Sequence, residues 1–202
     1  MINATLVLEA LRECAARGIP FAVVMTSGFS EAGAQGQRLE REIAELCQAT
    51  GLHVYGPNCP GFVNVRDRLG MTFSPAFKDD LNAGSIGLAT QGGGLGRNLL
   101  QGLSFGQGVG LWFSAGNEVD LEVSDYIHYM ADAPDIEVIV SVLEGVRDGP
   151  RFMAAALHAA RLARGMTLRD LAAKTGIAYS TLSKLENGKV GITYDKLHRL
   201  AL

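Results

Sequence analysis

The sequence predicts an α/β body with parallel strands over residues 1–150, followed by an all-α helix-turn-helix segment over residues 151–202. Three observations support this division. Helical and strand patterns alternate through the body, which is typical of parallel βαβ units with short connections. Residues 167–202 show helical patterns throughout, and the sign of the net charge changes near residue 159.

The first unit of the body contains two predicted helices and two predicted strands. Apolar residues at helical spacing favour helices over residues 6–17 and 36–50. Short apolar runs favour strands over residues 21–26 and 53–55. The order helix, strand, helix, strand indicates one parallel pair with helices packed against it.

A second unit follows a segment rich in proline, aspartate, asparagine and glycine. That segment, residues 67–84, predicts a linker. Beyond it the elements alternate again, with strands over residues 85–90, 111–114 and 137–143 and helices over residues 95–105 and 122–131.

Composition excludes several classes of protein. With 48% hydrophobic and 19% charged residues the chain is expected to bury a core. Its apolar runs have strand length, far short of the roughly 20 residues of a membrane span, and no secretory signal is visible, so we expect a cytoplasmic protein without membrane contact. Cys14, Cys47 and Cys59 lack CxxC spacing, which predicts reduced thiols and no metal site.

Charge is distributed unevenly along the chain. Residues 159–202 carry eight basic and three acidic side chains, a net charge of +5, so the preceding residues carry −8 of the total of −3. A basic tail on an acidic body favours contact of the tail with a polyanion. A solvated helical surface that happens to be basic is the alternative.

Two glycine-rich loops are placed where α/β sheets bind ligands. Gly92, Gly93 and Gly94 lie between a predicted strand and a predicted helix, where amide groups and the helix dipole favour a phosphate. A plain tight turn explains the run equally well, since neither GxGxxG nor a Walker sequence is present. The loop of residues 56–61 ends another strand and is either a ligand loop or a structural turn.

The order of several motifs resembles the nucleoside-diphosphate-forming acyl-CoA synthetases and the α subunit of succinyl-CoA synthetase. The matching stretches are residues 24–31, 56–61, 89–96, 114–120 and 143–148. The resemblance implies that residues 1–77 are the C-terminal half of a CoA-binding Rossmann-like domain and that residues 78–150 are part of a flavodoxin-like domain. It also implies CoA and ADP or ATP as ligands.

The resemblance assigns roles to a few residues of the body. Glu144 matches the glutamate that positions a phosphohistidine, and Gln91, Gly92, Gly93 and Gly94 match the loop that holds its phosphate, with Gly92 in place of the usual serine. No histidine of this chain lies in the position of the phosphohistidine. We therefore expect no acid–CoA ligase activity from the chain alone, and such activity would need a partner subunit.

The tail carries the pattern of two helices joined by a tight turn. Thr167 is a helix N-cap residue, Gly176 fits a left-handed C-terminal turn, and Ile177 is expected to fill the angle between the helices. The second helix presents short polar groups and a lysine, which suits entry into the major groove of DNA.

This pattern resembles the Cro and lambda-repressor type of helix-turn-helix, the XRE family. The resemblance implies base reading by Tyr179, Ser180 and Lys184 and phosphate contacts by Thr167, Asn187 and Lys189. Glu186 is expected to be structural, because a carboxylate facing phosphates would repel them. An ordinary helical hairpin that never meets DNA is the alternative.

The first helix of that segment is expected over residues 152–164 and has to serve both halves of the chain. Its polar residues 151, 158, 161 and 164 form one stripe, so its apolar arc is predicted to touch the body and the tail. The combined prediction is a double-stranded DNA-binding homodimer, a transcriptional regulator, fused to an incomplete ligase-like module. A ligase fragment with a partner subunit and a fusion without function are the alternatives.

Overall fold

The computed structural model describes residues 2–73 and 81–201. Within these residues the helices are α1 (Ala4–Ala16), α2 (Ala34–Thr50), α3 (Gly93–Phe105), α4 (Val123–Asp132), α5 (Gly149–Leu162), α6 (Leu168–Thr175), α7 (Tyr179–Glu186) and α8 (Tyr194–Ala201). The strands are β1 (Phe21–Val23), β2 (His53–Tyr55), β3 (Gly61–Asn64), β4 (Leu69–Thr72), β5 (Ile86–Thr90), β6 (Val109–Ser114) and β7 (Val138–Val142). A 3₁₀ turn covers Ser30–Ala32.

The first unit is a parallel β1–β2 pair, with Phe21 opposite His53, and helices α1 and α2 pack together beside it. β1 is shorter than the predicted strand over residues 21–26. After Val23 the chain contacts the loop that follows β2. There the N–H of Asn58 donates to the backbone carbonyl of Thr26 at 3.0 Å. The end of this segment is thereby fixed to a loop that borders the second sheet.

A β-hairpin replaces the first part of the predicted linker. β3 and β4 pair antiparallel, and β3 also pairs with β6. The prediction of a linker over residues 67–84 was wrong for residues 69–72, because β4 pairs with β3, and β3 in turn pairs with β6, a strand distant in the sequence. Residues 74–80 of that segment lie outside the described residues.

The larger sheet has the strand order β4-β3-β6-β5-β7. β5, β6 and β7 run parallel, as predicted, whereas the hairpin makes the sheet mixed. Successive residues alternate between its two faces. Leu88 and Trp112 pack on the side that carries Leu100 of α3, while Ala89 packs on the side that carries Tyr126 of α4.

Helix α5 joins the body to the tail. Phe152 and Ala155 pack against the same apolar cluster as α4, and Leu157 packs against the core of the last three helices. The shared role expected of this helix is therefore present in the packing. Its polar stripe is partly buried, since the side chains of His158 and Arg161 are only 13% and 11% exposed.

The tail has the geometry that its sequence predicts. Thr167 caps α6 and forms a reciprocal capping box with Asp170, and Gly176 ends α6 in the left-handed conformation with φ of 65°. The carboxylate of Asp170 accepts hydrogen bonds from the hydroxyl and the N–H of Thr167, which lowers the pKa of Asp170. A small buried core closes the segment, formed by Leu171, Ile177, Leu182 and Leu185.

A nearly buried ion pair ties α5 to α7. The guanidinium of Arg161 donates to both carboxylate oxygens of Glu186, at 2.7 and 2.9 Å, and the Glu186 side chain is 6% exposed. This hydrogen bonding raises the pKa of Arg161. The carboxylate points inward, in agreement with the structural role expected of Glu186.

Removing one member of this pair should destabilise the tail. Arg161→Met leaves the Glu186 carboxylate buried without its cation, which costs roughly 3 kcal/mol in comparable buried pairs. We expect urea unfolding followed by circular dichroism to show that loss. Arg164→Met is the matched control, because Arg164 is exposed and donates only to the Ala160 carbonyl of its own helix. Equal effects of the two substitutions would contradict the assigned role.

Candidate anion cleft and nucleic-acid interface

A polar cleft of about 530 Å³ opens at the carboxyl ends of β5, β6 and β7. This is the edge at which open α/β sheets bind ligands. Its lining residues are Ser30, Asn58, Gln91, Gly92, Gly93, Gly116, Asn117, Glu118, Glu144, Gly145, Val146 and Arg147. The structure thus brings Gln91, Gly92 and Gly93 to one cleft with Glu144.

Gln91 holds the rim of the cleft together. Its side-chain carbonyl accepts from the amides of Glu144 and Gly145 at 2.7 and 2.9 Å, and its amide donates to Glu118 at 2.9 Å. These contacts fasten the loop after β7 to the ends of β5 and β6. The Gln91 side chain, which was predicted to bind phosphate, thus forms hydrogen bonds within the protein instead.

The glycines after Gln91 leave the backbone amides at the start of α3 accessible, because they carry no side chains. Gly92 has a φ of 79° and its N-cap position provides no side-chain hydrogen bond. A Cβ at this position would lie 2.7 Å from a carboxylate oxygen of Glu144, whereas one at Gly94 would meet open space. Small residues therefore let an anion approach the first amides of the helix, where the dipole is positive.

Glu118 is a buried carboxylate in this cleft for which the sequence suggested no role. One oxygen accepts from Gln91 and from the N–H of Val123, and the other has no hydrogen-bond partner. Burial raises the pKa of Glu118. Arg147 donates to the backbone carbonyls of Asn117 and Glu118.

Asn117 connects the cleft to the first unit. Its side-chain amide lies within hydrogen-bond distance of Ser30, Glu31 and Glu40, at 3.1, 2.6 and 2.7 Å. In the sequence, Asn117 belongs to the stretch of residues 114–120, one of the motifs that resemble the acyl-CoA synthetases. Only the folded chain shows that it borders both units.

The histidines lie away from the cleft. His53 pairs with Asp120 at 3.2 Å, His128 stacks on His158 between α4 and α5, and His198 lies on α8. No histidine is among the described residues that line the cleft. Glu144 is exposed at the rim, without a histidine to orient.

The cysteines offer no reactive group to the cleft. Burial raises the pKa of the Cys59 thiol to about 12 and that of the Cys47 thiol to about 11. Cys14, Cys47 and Cys59 are unpaired thiols, as the sequence predicted. A protonated, buried thiol is a poor nucleophile and a poor metal ligand.

The exposed face of α7 carries the predicted base-reading residues. Tyr179, Ser180 and Lys184 are exposed and point away from the core formed by Leu182 and Leu185. An exposed helix presenting a hydroxyl, a phenol and an ammonium can donate to base edges in a major groove.

The side chains predicted to contact phosphate differ in whether they already form hydrogen bonds within the protein. Lys189 is exposed beside the end of α7. Thr167 is exposed as well, but its hydroxyl donates to Asp170 at 2.6 Å. Asn187 donates its amide to the Ser183 carbonyl at 2.6 Å. A phosphate would therefore meet Lys189 directly and would compete with internal hydrogen bonds at Thr167.

Two family models match the chain. The model for a succinyl-CoA ligase like flavodoxin domain covers residues 83–179, and a helix-turn-helix model covers residues 157–202. The chain joins a ligase-like body to an XRE-type helix-turn-helix. The two matches overlap over residues 157–179, which include the second half of α5, the helix that packs on both cores.

Individual relatives are acetate–CoA ligases. The chain is 33% identical over 148 residues to the α subunit of ADP-forming acetate–CoA ligase II of Pyrococcus furiosus, covering 73% of this chain and 32% of that protein. ADP-forming acetate–CoA ligase I of Archaeoglobus fulgidus is 35% identical over 165 residues, covering 80% of this chain and 23% of that protein. The chain thus spans a third or less of the length of these relatives.

A solved structure shows the same fold. The dinucleotide forming acetyl-coenzyme A synthetase 1 of Ca. Korarchaeum cryptofilum, in complex with phosphate and ADP, superposes with a TM-score of 0.72 at 27% identity. The match covers 96% of this chain and 44% of that chain. Separately, none of the described helices is long and apolar enough to cross a membrane.

Glu118 should impose a pH dependence on the stability of the ligase-like body. Because its pKa is raised in the folded state, the native protein binds more protons than the unfolded chain above about pH 4.5, so stability falls as pH rises through this window. The loss is about 1.4 kcal/mol for each pH unit of the window. Glu118→Gln should flatten this dependence in urea titrations between acidic and neutral pH.

The exposed carboxylate of Glu42 on α2 provides the matched control. Glu42→Gln should leave the pH dependence of the urea midpoint unchanged. A profile for Glu118→Gln that parallels the wild type would show that the pKa of Glu118 is the same in the folded and unfolded protein.

Proposed function

We propose that the chain is a DNA-binding protein whose α7 enters the major groove while the ligase-like body is held rigidly behind it. The observation that carries this proposal is the exposed face of Tyr179, Ser180 and Lys184 on a helix whose opposite face is packed in the helix-turn-helix core. The family-model match over residues 157–202 supports the same assignment.

Electrostatics favours this orientation. The net charge of +5 over residues 159–202 attracts phosphates, whereas the −8 of the preceding residues keeps the ligase-like body away from the duplex. Glu186 does not oppose this attraction, because its charge is neutralised by Arg161 inside the fold. A single unit of this kind buries little surface, so we propose a homodimer, in the cytoplasm, that regulates transcription at paired half-sites.

The test is selection from random duplex DNA by the purified full chain at near-physiological salt, where sequence-independent contacts are weakened. Enrichment of a defined site with two-fold symmetry supports a dimeric regulator. A folded protein that enriches nothing overturns the proposal and leaves a helical hairpin without a role on DNA.

Two lysines should separate base reading from phosphate binding. Lys184→Ala should relax the base preference at one position of the site, by about 1–3 kcal/mol of discrimination. Lys189→Ala should weaken all duplexes alike and lower the salt slope by about one. Both are measured by fluorescence anisotropy on the selected site and on a scrambled duplex over a range of salt.

Arg38→Ala is the control for net charge, since Arg38 is an exposed cation on α2 of the ligase-like body. It should change neither affinity nor preference. Lys184 and Lys189 variants that act equally on both duplexes would refute the separate roles.

A second function is favoured by the cleft, namely binding of a phosphorylated ligand such as ADP, ATP or CoA. The support is the glycine run at the start of α3 inside a polar cleft of about 530 Å³. The relatives are named as ADP-forming acetate–CoA ligases, and one of them as an α subunit. We infer that acid–CoA ligase chemistry would require a partner subunit bringing a histidine to Glu144 and the loop of Gln91, Gly92, Gly93 and Gly94.

A charge placed beside the cleft, in the first turn of α3, tests this second function. Gly94→Asp adds a carboxylate where a Cβ meets open space, and repulsion should weaken the binding of ADP severalfold in calorimetry of the full chain. Gly94→Asn has nearly the same shape without the charge and should bind ADP as the wild type does. Equal binding by both variants would place the ligand elsewhere.

Catalysis is tested separately by incubating the chain with ATP and with acetyl phosphate. Without a histidine at the cleft, no acid-stable or acid-labile phosphoprotein is expected from the chain alone. Folded protein that binds neither DNA nor ADP nor CoA would identify a fusion whose parts have no joint function.

A further inference from the structure

Two histidines and an aspartate meet where α4 of the ligase-like body packs against α5. His128 and Asp132 lie one helical turn apart on α4, and His158 reaches them from α5. One potential ligand atom from each residue lies within 4.8 Å of the other two. The cluster is remote from the cleft and belongs to neither function proposed above.

The distances within the cluster are short. His158 Nε2 lies 2.9 Å from one carboxylate oxygen of Asp132, and His128 Nε2 lies 3.9 Å from the other. The two imidazole rings are stacked with their centroids 4.1 Å apart and their planes 7° from parallel. Three potential ligand atoms therefore lie close together at the contact between α4 and α5.

The second nitrogen of His158 is held by the tail. His158 Nδ1 lies 3.2 Å from Glu186, the carboxylate that also pairs with Arg161. A carboxylate that accepts from one imidazole nitrogen fixes the ring and increases the basicity of the other nitrogen, as it does behind histidine ligands of metals. Glu186 thus orients His158 Nε2 towards Asp132.

Two imidazoles and one carboxylate form a donor set that suits zinc and related divalent transition metals. Three protein ligands leave one tetrahedral position for water. The imidazoles bind a metal ion only in their neutral form.

We propose that His128, Asp132 and His158 bind one divalent transition-metal ion of the zinc class and that the ion clamps the ligase-like body to the helix-turn-helix. Zinc–nitrogen bonds are about 2.0 Å long, so the ligand atoms of a tetrahedral site lie roughly 3.3 Å from one another, which requires the stacked His128 ring to rotate. The side chains of His128 and Asp132, 45% and 57% exposed, have room to rotate, while His158 is fixed by Glu186.

The test uses the full chain, freed of metal with a chelator and titrated with Co²⁺ and then with Zn²⁺. We expect one Co²⁺ per chain with the visible absorption of tetrahedral coordination by nitrogen and oxygen, displaced by Zn²⁺. His128→Asn and Asp132→Asn should each weaken binding at least about tenfold. Zn²⁺ should raise the melting temperature of the wild type and leave that of His128→Asn unchanged.

His53→Gln is the matched control, because His53 also faces a carboxylate, Asp120, at 3.2 Å without being part of the three-residue cluster. It should bind Co²⁺ as the wild type does. Both substitutions on α4 are at partly exposed positions, and circular dichroism of the two variants shows whether the fold is kept. Absence of saturable Co²⁺ binding, or equal binding by wild type and His128→Asn, overturns the proposal.

Discussion

The ion pair between Arg161 and Glu186 fixes the helix-turn-helix to α5, the helix that also packs on the ligase-like body. It lies between α5 and α7, nearly excluded from water, and His158 adds a further contact to the same carboxylate. Because a buried carboxylate is costly without a partner, α7 has one stable position on α5. The orientation of the helix that carries Tyr179, Ser180 and Lys184 therefore follows from this pair.

Helix α5 can serve two folds because its faces are used differently. Ala155 is buried in the same apolar cluster as Tyr126 and Met130 of α4, and Leu157 packs against the core of the tail. Arg151 at its start pairs with Asp125 of α4, and that helix begins at Val123, whose N–H is held by Glu118 of the cleft. Contacts are thus continuous from the cleft, through α4 and α5, to α7.

Local patterns predicted most elements of the fold. Each of the predicted helices is present with ends shifted by a few residues, and β2, β5, β6 and β7 lie where apolar runs placed them. The hairpin of β3 and β4 was missed, because its partner β6 is about 50 residues away in the chain and nothing local reveals that open edge.

The sequence by itself determined the two-part organisation, the resemblance to acyl-CoA synthetases and the helix-turn-helix, since these rest on motif order, caps and periodicity, which are properties of neighbouring residues. Tertiary structure decided which side chains are free to act. It engages the Gln91 side chain in hydrogen bonds to Glu118 and Glu144 and buries Glu118. It also places the Thr167 hydroxyl in a helix cap and stacks His128 on His158. Such roles depend on partners distant in sequence, and only packing selects them.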